Sequence, residues 1–303
     1  MSDAQITRPL AAPYVTHPVA RLAAVLGAAR WRRLGTQGAL HLLLSAGLLI
    51  AVFPFVWMVL TSFKDRAEAG AFPPTLLPRV WHVENYAEAW RTAPWPRYFF
   101  NSFFVSTAVA LGNLTTSVLA AYAFARLRFF AKPLVFFLLL ATLMVPEEVI
   151  VIPNYVLIQR LRWINTYQAL IVPFLAGVFS IFLLRQFFRT LPQDLFEAAM
   201  LDGASHLQTI WYVVLPLARP ALITVALLSF IGSYNSFLWP LLVASRAELR
   251  MVMVGLNSFT TEVSTRFDLL MAAAAMVILP VVVLFFFAQR YFIEGITRTG
   301  LRG

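Results

Sequence analysis

The sequence predicts an all-α protein that crosses a membrane about six times. Three observations predict it. Of 303 residues, 60% are hydrophobic and 13% charged, against about 45–50% and about 25% in soluble domains. Runs free of Lys, Arg, Asp and Glu recur at 34–63, 98–125, 163–184, 220–245 and 269–289, each long enough for the ~20 apolar residues that cross a bilayer as a helix. The net charge of +10 fits basic residues retained on one side of a bilayer better than it fits nucleic-acid binding.

Such a chain has too few polar side chains to cover its core in water, which excludes a soluble enzyme, a disordered protein and a nucleic-acid reader. The absence of cysteine excludes disulfides and thiolate metal sites. The two lysines, Lys64 and Lys132, follow Phe63 and Ala131, so neither completes a phosphate-cradling loop, which needs glycine before lysine. No two glycines stand two or four residues apart. That removes the dinucleotide fingerprint, the nucleophile elbow and the helix-dimer motif. His17, His41, His82 and His206 are scattered. No catalytic residue, metal ligand or bound cofactor is expected in this chain, and any ATP must be hydrolysed by another subunit.

Taken in order, the first run is too long for a signal peptide, and no small-residue cleavage site follows it. It reads as an uncleaved span. Residues 1–37 read as a basic tail with Arg30, Arg32 and Arg33 and no fold of its own, and residues 38–303 as the transmembrane domain. The run 98–125 is the second span. A third, 133–146, is short. It must borrow residues 129–131 or extend past Glu147 and Glu148 towards Pro153. The two glutamates are expected at the outer mouth, setting the end of that span. Pro153 and Pro173 are expected to bend or end helices. In the fifth span, Gly232 to Ser236 interrupt an apolar helix, and Pro240 is expected to kink it. Polar groups facing lipid are costly, so Tyr234, Asn235 and Ser236 are expected either to line a pathway or to hydrogen-bond between helices.

Six spans leave both termini on one side. That side carries 14 of the 24 Lys and Arg, so the N- and C-termini are expected in the cytoplasm. The long outer loop 64–97 holds Trp81, Tyr86, Trp90 and Trp95. These aromatics read as an interfacial belt or as a docking surface for an external partner.

The cytoplasmic loop 189–216 is the most informative segment. Pro192 suits a first helical turn, and Asp194 the positive end of a helix dipole. Gly203 can adopt the left-handed conformation that ends a helix. Ser205 can cap a second helix running to about Leu215, and Pro216 marks the return to the membrane. Leu195, Phe196, Ala199 and Met200 share one face. That face either inserts into a groove on another protein or packs on this chain's own spans.

Glu197-Ala198-Ala199, then Gly203, Ile210 and Leu215-Pro216, resemble the EAA loop of ABC-importer permeases. Residues 146–153, 165–170, 232–240 and 289–295 are similar to the carbohydrate-type branch, the maltose and glycerol-phosphate uptake permeases. The resemblance covers residues 38–303. It implies a type I ABC importer bundle with a cytoplasmic coupling helix. Its site residues would be Glu197, Ala198, Ala199, Asp202, Gly203, Leu215 and Pro216, with Ala198 and Ala199 letting an ATPase approach closely. Met200-Leu201 departs from the polar or basic residues of many relatives and implies tighter packing there. The tail from Arg290 resembles tails that contact the ATPase dimer.

The partners implied are a second homologous permease, two ATPase subunits, an extracytoplasmic solute-binding protein and membrane lipid. The location implied is the cell inner membrane, and the solute a sugar, polyol or sugar phosphate. An ion-gradient-driven secondary transporter would need ionisable groups within the membrane; the uncharged runs hold only His41, near a span end. An integral-membrane enzyme would need clustered His, Asp or Glu, and the sequence offers no such cluster.

Overall fold

The computed structural model describes residues 18–260 and 265–300, with side-chain surroundings at 37–260, 265–287 and 289. Contacts divide the chain into two units, residues 1–57 and 58–303. The first unit holds most of α1 (Pro18–Thr61), a 44-residue helix with Pro54 inside it. It opens on a proline, whose fixed φ suits the first helical position. It continues through Ala- and Leu-rich sequence of high helix propensity. The helix passes through 37/38 without a break, so residues 18–37 are not the unfolded tail that their charge suggested. Residues 1–17 lie outside the described residues.

The second unit contains two short helices in the loop after α1, α2 (Arg66–Ala69) and α3 (Glu84–Thr92), then the long α4 (Trp95–Arg126). After it come α5 (Lys132–Ala141), α6 (Glu147–Arg160), α7 (Tyr167–Ile171), α8 (Val178–Thr190) and α9 (Gln193–Leu201). α10 (His206–Thr209) runs through a π-helical turn, Ile210–Val214, into α11 (Leu215–Leu217). α12 (Arg219–Tyr234), α13 (Leu238–Val243), α14 (Val252–Leu256) and α15 (Phe267–Gly300) complete the chain. Gln37–Thr61, α4 and Phe267–Phe287 are long and apolar enough to span alone, and three bent pairs bring the spans to up to six.

The bends correct several expectations. The third span starts at Lys132 and breaks after Met144, and α6 then turns away by 99°. Glu147 and Glu148 are exposed in the first turn of α6, where a helix dipole favours carboxylates. They begin a helix rather than end a span. Pro153 sits inside α6 without ending it, whereas Pro173 lies in the 3-10 turn at the 40° break between α7 and α8. The fifth span stops at Tyr234 and restarts at Leu238. Pro240 therefore falls in the first turn of α13, where its missing N–H costs little, and does not kink a long helix.

α4 is the axis of this unit. Asn101, Ser102, Val105, Ser106, Val109, Asn113, Ser117 and Ala121 recur along one buried face. Small residues let neighbouring helices approach closely where lipid supplies no hydrophobic drive, and α12 and α8 make the most extensive contacts with that face. Asn113 fills the space beside Gly177, where any added Cβ would collide with its amide. Thr116 donates to the carbonyl of Leu175, so the break before α8 is pinned to α4.

At the α3 end of α4, Trp95, Tyr98, Tyr234, Phe259 and Ala272 share a core. Trp95 donates from Nε1 to the carbonyl of Ala89 at 2.8 Å, so this loop tryptophan is a core residue. Trp81 and Trp90 stay exposed. Tyr234 is fully buried, and its hydroxyl donates to the carbonyl of Val277 at 3.0 Å. It bonds between helices and lines no pathway within this chain. Asn235 is exposed and Ser236 partly buried in the break between α12 and α13.

The loop between α13 and α14 is held by side chains. Asn101 Nδ2 donates to the carbonyls of Glu248 at 2.8 Å and Arg250 at 2.9 Å, while its Oδ1 accepts from the Tyr167 hydroxyl at 2.8 Å. Asn165, at φ 59°, accepts on Oδ1 from Ser245 Oγ and from the Arg246 N–H, both at 3.0 Å. Asn and Asp tolerate the left-handed region better than other side chains. In the loop after α1, Glu68 accepts from Thr75 Oγ1 at 2.7 Å and from the Arg79 N–H. The Thr75 hydroxyl holds the Glu68 carboxyl below its usual range.

Replacing Asn101 by Leu should orphan two loop carbonyls at about 1–3 kcal/mol for the buried polar groups left unmade. Limited proteolysis of the purified protein should then cut between residues 244 and 251 faster than in wild type, with cleavage elsewhere unchanged.

Candidate functional site

The loop 189–216 folds as a helix, a turn and a second helix. Pro192 precedes the helix as its N-cap, one position earlier than expected, and Asp194 lies in the first turn of α9. After Leu201 the backbone turns left-handed at Gly203, φ 75°. The Gly203 N–H donates to the carbonyl of Met200 at 3.0 Å and the Ala204 N–H to that of Ala199 at 2.9 Å. This pair is the double closure of a Schellman turn, which satisfies the last carbonyls of a helix and needs a residue free of Cβ strain. Ser205 then caps α10 through a reciprocal box. Its Oγ accepts from the Gln208 N–H at 3.4 Å, and Gln208 Oε1 accepts from the Ser205 N–H at 2.8 Å.

The shared face of α9 is divided. Phe196 is buried in this chain's own core, with Tyr122, Leu184, Phe188, Ile210 and Val214, and Ala199 is buried as well. Leu195 and Met200 are exposed, and Leu201 is 89% exposed. The expected tight packing at Met200-Leu201 is therefore absent from this chain. Met200, one turn after Phe196, lines an open cleft beside the end of α4 rather than a closed core. Ala199 cannot offer a close approach to a partner, since its methyl is already covered. Glu197, Ala198, Asp202 and Gly203 are exposed together on the open side of the hairpin. Leu215 is partly buried and Pro216 exposed. The helix carrying that pair runs on to Leu217, and the 87° bend into α12 falls at Ala218 rather than at Pro216.

Arg126, the last residue of α4, anchors this loop. One of its terminal nitrogens donates to the carbonyls of Phe188 at 2.6 Å and Leu191 at 2.8 Å, and the other to Gln193 Oε1 at 2.8 Å. Its guanidinium carbon lies 3.8 Å from the centre of the Phe196 ring, within the range of a cation–π contact. One turn earlier on α4, the Tyr122 hydroxyl lies 3.2 Å from His206 Nδ1. A cleft of about 240 Å³ separates the end of α4 from the two loop helices, with Arg128, Met200 and Thr209 also on its wall. Sequence reasoning missed Arg126, Gln193 and Tyr122. The available signal was an arginine immediately after an apolar run, which reads equally as a membrane-edge anchor.

Residues 112–298 match the family model described as binding-protein-dependent transport system inner membrane component. The chain belongs to that family. It is 33% identical over 264 residues to the sn-glycerol-3-phosphate transport system permease protein UgpE of Yersinia enterocolitica, covering 84% of this chain and 94% of the relative. The UgpE proteins of Pectobacterium atrosepticum and Escherichia coli O1:K1 are each 34% identical over the same length. A solved bacterial ABC transporter involved in the import of the acidic polysaccharide alginate contains a chain of the same fold. Its TM-score is 0.73 at 22% identity, covering 93% of this chain and 100% of that one.

The protein is thus a multi-pass inner-membrane permease of a binding-protein-dependent ABC importer. It works with an ATPase and a solute-binding protein, and its relatives are transport permeases rather than enzymes. The stretch 165–170 that carried part of the resemblance has a structural role in this permease. Thr166 caps α7, and Tyr167 holds Asn101. In 232–240, Tyr234 and Trp239 each donate to a carbonyl on another helix.

Removing the cap with Ser205→Ala should cost about 1 kcal/mol of local stability, the usual worth of a serine N-cap. Hydrogen exchange at the amides of 206–210 should then quicken about fivefold, with α4 amides unmoved.

Proposed function

We propose that this permease forms half of a translocation pathway and receives the work of ATP hydrolysis through the loop 189–216. A second, homologous permease supplies the other half, and two ATPase subunits bind below. The loop and both termini are cytoplasmic, and residues 38–303 form the functional domain. This chain binds no nucleotide; its partners hydrolyse ATP.

The observation that carries the reading is the rigid hairpin at Gly203. It presents Glu197, Ala198, Asp202 and Gly203 outward while Phe196 locks the same helix into the bundle. A docking element needs both properties. The exposed side chains meet the ATPase, Glu197 pairing with a cation or with backbone N–H groups there. The buried ones carry the displacement inward, with Leu215 and Pro216 in the last turn of the second helix, before its bend into α12. For ATP to switch the bundle between inward- and outward-facing states, the hairpin must contact the two ATPase states differently. Asn235 and Ser236, in the open break between α12 and α13, line the pathway. The solute is a small hydroxylated compound, a sugar, polyol or sugar phosphate. The likeness to the UgpE proteins makes glycerol 3-phosphate the first to test.

Replacing Gly203 by Asp should leave membrane insertion intact yet abolish uptake and co-purification of the ATPase. The left-handed φ costs a non-glycine residue about 1–2 kcal/mol, and the carboxylate lies on the docking side. Full ATPase retention by this variant would refute the assignment. Because the chain has no cysteine, a single cysteine at position 197 reports its side of the membrane. A membrane-impermeant maleimide should label it only after the cells are opened. Uptake by the permease alone, driven by an ion gradient, would favour a secondary transporter instead.

A further inference from the structure

We propose that Arg126 is a positioning residue for transport: it ties the cytoplasmic hairpin to α4, so that displacement of the hairpin becomes displacement of the bundle. The inference rests on the coupling role proposed for the loop 189–216, and adds the part through which force leaves that loop.

Four contacts of one side chain join three helices. Arg126 ends α4, and its donors reach Phe188 and Leu191 at the end of α8. It also reaches Gln193 in the first turn of α9. Its flat face covers the ring of Phe196, one turn further along α9. All three hydrogen-bond acceptors are neutral oxygens. The tether is therefore set by directional geometry and a planar fork, which lysine does not have, and not by attraction to a carboxylate. Tyr122 meets His206 at the start of α10, so the last turns of α4 hold both arms of the hairpin on either side of Gly203. At its other end α4 holds the loop 244–251 through Asn101, and the Val252 N–H at the start of α14 through Ser102 Oγ. A helix fixed at both ends to different loops passes on whatever moves one of them.

Arg126 holds Gln193 and Phe196, whereas helical spacing puts Ala198 and Asp202 on the opposite face of α9. Docking and transmission are consequently separable by mutation. In the reconstituted full importer, with its binding protein, Arg126→Met and Arg126→Lys should both retain the ATPase on purification. Solute moved per ATP hydrolysed should fall about tenfold or more, within the usual range of coupling between sites. Stimulation of hydrolysis by the binding protein should fall in parallel, while basal hydrolysis persists. Gln193→Ala, an exposed position that removes one arm of the tether, should give a smaller loss of the same kind. Spin labels on cysteines at 128 and 197 should keep one separation with and without ATP in wild type, and should spread to a broad distribution in Arg126→Met.

Loss of the ATPase from the Arg126 variants would overturn the inference and make Arg126 part of the docking scaffold. Wild-type stoichiometry of transport, or full rescue by lysine, would overturn it as well. Should Arg126→Met fail to fold, Gln193→Ala and the spin-label separation in that variant decide the matter; an unchanged separation and stoichiometry there refute it. If instead Gly203→Asp keeps its ATPase, the coupling reading itself falls, which is a different result from any of these.

Discussion

Side chains that bond to the main chain hold this permease together, and one helix supplies more of the long-range ones than any other. Hydrocarbon offers no water to satisfy a broken backbone, so every interruption of a span needs an internal partner. The chain interrupts its spans repeatedly, and α4 supplies many of those partners. Asn101 and Ser102 serve the loop beyond α13, Thr116 serves the break before α8, and Arg126 serves the end of α8. Elsewhere Trp239 and Tyr234 close carbonyls on α7 and α15. Each of these irregular parts therefore ends on a specific side-chain partner.

The same economy leaves much apolar surface uncovered. Leu134, Phe137 and Leu138 on α5 are exposed, as are Val149 and Ile152 on α6 and Phe286 and Phe287 on α15. In water this would be a liability. For a membrane subunit it is surface shared between lipid tails and neighbouring helices. Polar residues follow the opposite rule and turn inward along α4. Specificity between helices then rests on hydrogen bonds and on small residues that permit close approach.

How much of this was legible in the sequence depends on how local each feature is. Gly203 and Ser205 were read correctly because a Schellman turn and a capping box are decided by residues within one turn of the chain. The spans were legible as uncharged runs, since crossing hydrocarbon is a matter of length and composition. The breaks were less so. A run such as 220–245 stays apolar whether or not the helix stops at Tyr234, and a proline does not by itself say where a helix ends. Pro153 is carried inside α6, and Pro240 falls in the first turn of α13, where its missing N–H costs little. The face of α9 was ambiguous for another reason. Amphipathic spacing says that Phe196 and Ala199 will be covered, but not by whom. The answer came from Arg126 and Phe188, distant in sequence and unmarked by any motif.

The contact between Gly177 and Asn113 ties two distant positions of the sequence to a common fate. A lineage in which residue 177 gains even a methyl group must turn the asparagine amide aside or trade it for something shorter. Either change disturbs the oxygen on which Ser117 Oγ rests. Drift at these three sites is accordingly expected in concert, and a hybrid assembled from two diverged homologues with a junction between 117 and 177 inherits a mismatch that neither parent had.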